Sequence, residues 1–281
     1  MASGQSVIFG RLFIGLLVAC LTLAGLVFVA PAPWWAPLLQ RSTDGALECR
    51  QWFGSLWSGG CARLYASQGP LGWDLGRVAW QLERSRPWLL PTTVRLGWQR
   101  GEGWLQARIS PLRSDGLLVS QVRSEVPIEE VMMLLPPNWT RAAASVRQAR
   151  GFLRTDIVEL FWPYDRPGAT SGDLCARGTV ELIGLQLPAW PEPLGLLKLT
   201  ATERCDEGFI LQDHGGPVQI RLVLDSDDSQ QWRLSGTLSP RRDARPEWKA
   251  LLGQLGPMTP AGAYPVDLTI ERRAAAPGLG P

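Results

Sequence analysis

Apolar and polar residues alternate with a period of two along much of the chain beyond residue 49. One such run has apolar residues at Val78, Trp80 and Leu82, with other residues between them. Because successive side chains of a β-strand point to opposite faces, this alternation predicts half-buried strands. The further runs have their apolar positions at Val94, Leu96 and Trp98; Leu105, Ala107 and Ile109; Val218, Ile220, Leu222 and Leu224; Trp232, Leu234, Gly236 and Leu238; and Tyr264, Val266, Leu268 and Ile270.

Short turn signals separate the predicted strands, and two short helices interrupt them. Strands joined by such brief connections are expected to be antiparallel neighbours. The helices are predicted at 128–135 and 245–255; Pro246 lies in the first turn of the second helix, and Gly256 follows its last turn. The predicted fold class is therefore mainly β, a curved antiparallel β-sheet domain with two short helices. The turn signals lie at residues 100–103, 114–116, 206–208 and 225–228.

The segment at residues 7–30 is apolar and predicts a transmembrane helix. Residues 12–30 carry no charged side chain, and as a helix they would span about 28 Å, close to a bilayer core of about 30 Å. Pro31 would end this helix. Trp34 and Trp35 follow where an interfacial aromatic belt would lie, although they also suit packing within the folded domain.

Two alternatives to a spanning helix stay open for this segment. One is a cleaved signal peptide, with small residues before a cleavage site after Ala30, although the apolar run is longer than usual and Pro31 follows directly. The other is lipidation at Cys20, because the residues before it resemble a bacterial lipobox. The apolar run continues well past Cys20, which favours the spanning helix.

The cysteines indicate the side of the membrane on which the rest of the chain lies. Outside the apolar segment the chain has Cys49, Cys61, Cys175 and Cys205. Two disulfides are predicted, which places the domain in an oxidising compartment outside the cytoplasm. Four cysteines allow three pairings, of which Cys49–Cys61 and Cys175–Cys205 close the shortest loops. The alternative is that they are buried free thiols.

The sequence also predicts how the chain is divided. Each predicted helix is followed by a break containing Pro, then by Gly and a strand, which suggests two related halves. The predicted segments are a cytoplasmic stub at 1–6, the transmembrane helix at 7–30, a Pro-rich linker at 31–48, a first β half at 49–165, a second β half at 170–273 and a disordered tail at 274–281.

Composition and charge exclude several classes of function. The net charge of +2 provides no basic field for nucleic acid. His214 is the only histidine, and it lies in a turn-forming run with no nucleophile motif near it. No phosphate-binding glycine motif and no pair of cysteines with zinc-site spacing occurs. The sequence therefore predicts a protein that is not an enzyme and has no cofactor or metal.

Tryptophan is unusually abundant, with 14 copies in the chain. Such a density suits either an aromatic surface for a partner or an acyl chain, or the core of a sheet. The core is favoured because several of these residues occupy alternating positions. Seven lie close together: Trp52, Trp57, Trp73, Trp80, Trp88, Trp98 and Trp104.

Three short motifs carry a resemblance to a known family. The first is the run Gly54, Ser55, Leu56, Trp57, Ser58 and Gly59, soon after the apolar segment. The second is Trp80-Gln81-Leu82 followed by Trp88-Leu89-Leu90. The third is Leu251-Leu252-Gly253-Gln254-Leu255-Gly256-Pro257 followed by Gly262-Ala263-Tyr264. In these motifs the chain resembles bacterial type II secretion system protein N, which is distantly similar to AsmA-like proteins.

The resemblance implies a function. It implies an accessory component of the bacterial inner membrane, with its soluble domain in the periplasm, that contributes to the export of folded proteins across the outer membrane. The implied partners are other secretion-system components in the inner membrane or periplasm. An AsmA-like lipid-binding or lipid-transfer module with an apolar trough is the alternative. If the chain is a secretion component, the motif at residues 54–59 is expected to be a turn at a strand entry, with Trp57 packed as a core anchor.

Overall fold

The secondary structure is mainly β, with antiparallel strands and a few short helices, which confirms the predicted fold class at that level. No described helix combines the length and the apolar character needed to cross a bilayer. The predicted span at 7–30 lies outside the described residues, except for Thr22 and Ala30. The computed structural model describes residues 22, 30–68, 71–83, 93–113, 116–134, 148–163, 175–201, 208–226 and 231–271.

The chain divides into two compact units, Met1–Arg84 and Ser85–Pro281. This boundary differs from the predicted one at 165–170, and the relationship between the two predicted halves stays a prediction. In the first unit β3 pairs with β4 on one side, and with β1 and β2 on the other. Its strands are β1 (Leu47–Cys49), β2 (Trp52–Gly54), β3 (Ser58–Gln68) and β4 (Leu71–Glu83).

The segment at 31–48 is more ordered than the predicted linker. A 3₁₀ helix at Ala32–Trp35 leads into helix α1 at Ala36–Ser42, and β1 begins at Leu47. The Pro-rich composition did not indicate these helices, because Pro33 and Pro37 resemble helix breaks. Each proline lies in the first turn of its helix, where the missing N–H has no intrahelical partner to lose.

In the second unit each strand pairs antiparallel with its neighbours in the chain, from β5 to β14. The strands are β5 (Thr93–Arg100), β6 (Gly103–Arg113), β7 (Gly116–Pro127), β8 (Arg150–Pro163), β9 (Cys175–Gln186), β10 (Leu196–Ala201), β11 (Phe209–His214), β12 (Val218–Ser226), β13 (Gln231–Pro240) and β14 (Tyr264–Glu271).

Two helices connect neighbouring strands of this unit. Helix α2 (Ile128–Leu134) joins β7 to β8, as predicted. Helix α3 (Pro246–Leu252) joins β13 to β14 and continues as a 3₁₀ helix at Gly253–Leu255. The predicted helix at 245–255 is thus two elements, since the backbone tightens once it reaches Gly253, a weak helix former.

The two faces of this sheet differ in chemistry. Directly opposed residues share a face, and on one face Leu153 lies opposite Leu182, which lies opposite Leu197. The buried core on this face gathers residues from the strands, from α3 and from the loop before β10. Its members are Leu194, Leu197, Val218, Ile220, Leu222, Trp248, Leu252 and Tyr264.

The other face carries a row of alternating charges across β7 to β10. Arg154 lies opposite Glu125 on one side and Glu181 on the other, and Glu181 lies opposite Lys198. The Arg154 Nη2 and Glu125 Oε2 atoms are 3.2 Å apart, and the Lys198 Nζ and Glu181 Oε1 atoms are 4.0 Å apart. The Arg154–Glu125 pair is half-exposed and the Lys198 Nζ to Glu181 Oε1 distance is long, so these pairs specify register more than they add stability.

Candidate functional site

The motif at residues 54–59 forms the tight turn between β2 and β3. Gly54 ends β2, and Gly59 lies opposite it in β3. The Ser55 backbone N–H donates to the Ser58 carbonyl oxygen at 2.9 Å, and the Ser58 N–H approaches the Ser55 hydroxyl at 3.4 Å. The motif is therefore a self-bonded hairpin turn.

Two glycines of the motif are needed because backbone approaches them closely. A Cβ atom on Gly59 would lie 2.5 Å from the Ser55 carbonyl oxygen and 2.7 Å from that of Phe53. A Cβ atom on Gly54 would meet the Ser58 carbonyl, and Gly54 also has a φ of +76°. Neither position accepts a side chain without moving backbone.

Trp80 on β4 contacts this turn with its side chain, and so stabilises it more directly than Trp57 does. Its indole Nε1 donates to the Leu56 carbonyl oxygen at 2.9 Å, and its ring packs edge to face on Trp52 with centroids 6.1 Å apart. Trp57 is half-buried, and its carbonyl oxygen accepts from the Leu82 N–H at 2.8 Å. Of the second motif, residues 88–90 lie outside the described part of the chain.

The segment that follows the predicted transmembrane helix pairs with this same turn. The Leu56 N–H donates to the Ala30 carbonyl oxygen at 3.4 Å, and Pro31 forms an isolated antiparallel bridge with Ser55. Ala30 is 5% exposed and Ala32 is fully buried. Sequence reasoning missed this contact; the small residues on both sides of Pro31 were the signal that could have revealed it.

Trp34 projects from this junction. It lies in the 3₁₀ helix that packs against β2, yet 65% of its surface is exposed. A large aromatic residue that stays exposed beside a packed segment is typical of a membrane-interface or partner contact. The Trp34 side chain is therefore not buried in the core of the described residues.

A disulfide joins Cys49 of β1 to Cys61 of β3. Cys61 is 3% exposed and lies opposite Trp52 of β2. The disulfide therefore crosslinks β1 to β3 beside the short strand β2. Of the other predicted pair, Cys175 begins β9 and Cys205 lies outside the described residues. The pairing of Cys175 with Cys205 therefore stays a prediction.

The third motif closes the second unit. Its leucines end α3, with Leu252 buried in the core, and the chain turns at Thr259, whose N–H donates to the Ala263 carbonyl oxygen at 2.8 Å. Gly262 has a φ of +79°, which glycine adopts readily. Tyr264 then begins β14 and is 7% exposed. This motif, like the first, is a structural turn into a strand.

Glu130 in the first turn of α2 packs its carboxylate against the turn between β5 and β6. Cβ atoms on Gly101 or Gly103 would collide with that carboxylate, and its Oε2 atom is buried and accepts no hydrogen bond from any described residue. Burial raises the pKa of Glu130 above its usual 4.5, against the opposing effect of the Arg100 charge. Glu130 therefore links the first turn of α2 to the turn between β5 and β6.

A cleft of about 560 Å³ lies near α2 in the second unit. Four of its six lining residues are polar or charged, whereas small-molecule sites are mainly apolar with few polar groups. It offers no arrangement of a nucleophile with a base. Its lining residues are Glu129, Gln148, Arg150, Gln186, Leu187 and Pro188.

Comparison with known proteins identifies the family. A family model described as Type II secretion system (T2SS), protein N, matches residues 45–267. The match covers both the turn at 54–59 and the turn into β14. No curated protein and no solved structure matches the chain. This is a family of secretion-system components and not a known enzyme family. The chain belongs to the type II secretion system protein N family.

Proposed function

We propose that this chain is a non-enzymatic accessory component of the type II secretion system, held in the bacterial inner membrane by one helix at residues 7–30. Its role is to contribute to the export of folded proteins from the periplasm across the outer membrane, through other secretion components. The main support for this proposal is the match to the protein N family. The backbone contacts of Ala30 and Pro31 with the turn at 54–59 add to it.

The backbone contacts of Ala30 and Pro31 with this turn support a membrane tether that also orients the domain. A flexible linker would let the sheet rotate freely, whereas the backbone pairing of Pro31 with Ser55 supports a restricted direction where the proposed helix ends. The exposed Trp34 lies at the level of the lipid headgroups in this arrangement. The Cys49–Cys61 disulfide is consistent with the oxidising periplasm.

Deletion of the gene tests the function. We expect secreted proteins to accumulate in the periplasm, and the intact gene to restore their export. Two variant genes replace residues 7–30, one with an unrelated single transmembrane helix and the other with a cleaved signal peptide. The first should restore export and the second should not. Normal export in the deletion strain would contradict the proposal.

Lipid handling is a second candidate, favoured by the apolar face of the second unit. The apolar face extends from the core that contains α3 to strands β5 to β8. There Leu96, Leu105 and Ile157 are only half-buried. Such a face suits acyl chains.

Photocrosslinking in cells separates the two candidates. A photoreactive residue at position 153 points to the apolar face, and the same residue at position 154 points to the charged face. Lipid adducts at 153 and none at 154, with altered outer-membrane lipid in the deletion strain, would support the lipid role. Equal or absent lipid adducts would argue against it.

A further inference from the structure

Strand β14 forms an open edge of the sheet in the second unit. It pairs with β13 along one side, and among the described residues no strand pairs with its other side. Open edges are usually protected by brevity, by charge or by proline. Pro265 lies near the start of β14, but the strand then continues to Glu271. The central part of this edge therefore offers unpaired backbone groups.

The charge of Asp267, in the middle of β14, is already paired. Asp267 receives two hydrogen bonds from Arg233 on β13, at 2.6 and 2.9 Å, and this contact lowers the pKa of Asp267. The neighbouring Leu268 lies on the apolar face opposite Leu234, yet it is 55% exposed. An exposed leucine beside unpaired backbone is a surface that a further strand would cover.

We propose that β14 pairs antiparallel with β14 of a second copy, with the two-fold axis at Leu268. This register places the two exposed leucines opposite each other and sets Asp267 opposite Thr269. A register centred on Asp267 would oppose two carboxylates, which destabilises a pair. One centred on Val266 would place Leu268 against Tyr264, which is already buried.

The chain's own tail is a poor occupant of this edge. Residues 272–281 are mostly Ala, Gly, Pro and Arg, and Gly and Pro are depleted in strands. A second copy instead presents the same β-forming sequence and the same exposed leucine. Isologous two-fold contacts of this kind are the commonest form of homodimer.

Cysteine substitution in the full-length, membrane-embedded protein tests the register. In a two-fold pair only the residue on the axis faces itself, so Leu268→Cys should give a disulfide-linked dimer absent from the parent chain. Thr269→Cys is the control, because position 269 faces position 267 of the other copy and should not link. Linkage at 269 but not at 268, or at neither position, would overturn the proposal.

The mass of the detergent-solubilised full chain distinguishes dimer from monomer and provides a second, independent test. Leu268→Asp opposes two carboxylates and should weaken dimerisation by about tenfold or more. Leu255→Asp, at a position that is 54% exposed but off the strand, should leave the dimer intact. A monomeric parent chain, or a cross-link from position 268 to a different secretion component, would show that the edge does not pair with a second copy.

Discussion

At the scale of single residues, close backbone contact defines the family motif. A Cβ atom on Gly59 would lie within 2.7 Å of two backbone carbonyl oxygens. We expect Gly59→Ala to lower the free energy of unfolding by about 1–3 kcal/mol, as overpacking usually does. Gly72 in β4 is the matched control, because a Cβ atom there would meet only one atom, at 3.9 Å.

Urea unfolding of the two variants measures this difference. Gly72→Ala should be neutral or stabilising, since alanine reduces the conformational entropy of the unfolded chain. Equal losses in both variants would mean that close approach at Gly59 is not the cause.

Glu130 predicts a pH dependence whose sign follows from burial. The folded protein holds this proton more tightly than the unfolded chain, since burial raises the pKa above 4.5. The contribution of Glu130 to stability is therefore fully present below pH 4.5 and is lost as pH rises through the raised pKa. Glu130→Gln should melt at a higher temperature than the parent at pH 7, and the difference should shrink at pH 4.

Thermal melting across this pH range provides the measurement. Glu129→Gln is the control, because it removes a charge of the same sign one residue away while leaving the packed carboxylate in place. If Glu130→Gln lowers the melting temperature at pH 7, then the attraction of the Arg100 charge outweighs the desolvation of the carboxylate.

At the scale of elements, the disulfide holds the short edge of the first unit. Strands β1 and β2 have three residues each, too few to pair firmly alone. Cys49 and Cys61 are 12 residues apart, and closing a loop of this size stabilises by about 3 kcal/mol. The double variant Cys49→Ser, Cys61→Ser should lose stability of that order.

A reducing agent supplies the control for this prediction. It should destabilise the parent chain and have a much smaller effect on the double variant, as measured by urea unfolding. Comparable sensitivity in both would assign the effect to other cysteines.

The elements also show what sequence patterns can predict. The period-two runs marked strands correctly because each strand buries one face, so every second side chain is apolar. The cleanest example is β12, whose apolar residues Val218, Ile220 and Leu222 lie in the core. The helix at 36–42 escaped prediction because its prolines resemble breaks unless the helix start is already known.

At the scale of the whole molecule, the family and the fold class were predictable, whereas the key contact was not. The motif at 54–59 is local in sequence, so its turn could be read from its glycines. Its partner, the chain at Ala30 and Pro31, lies over twenty residues away in sequence and bonds through backbone atoms. The small residues Ala30 and Ala32 are consistent with close packing, but small residues alone do not specify which turn they pack against.

The pairing of Pro31 with Ser55 has a consequence for how the protein meets its partners. If residues 7–30 span the bilayer, almost no slack separates the membrane from the sheet. A domain on so short a tether searches for membrane-bound partners in two dimensions, and its effective concentration near them is far above that of a freely diffusing protein. Even a weak individual contact would then suffice to keep the component within the assembly.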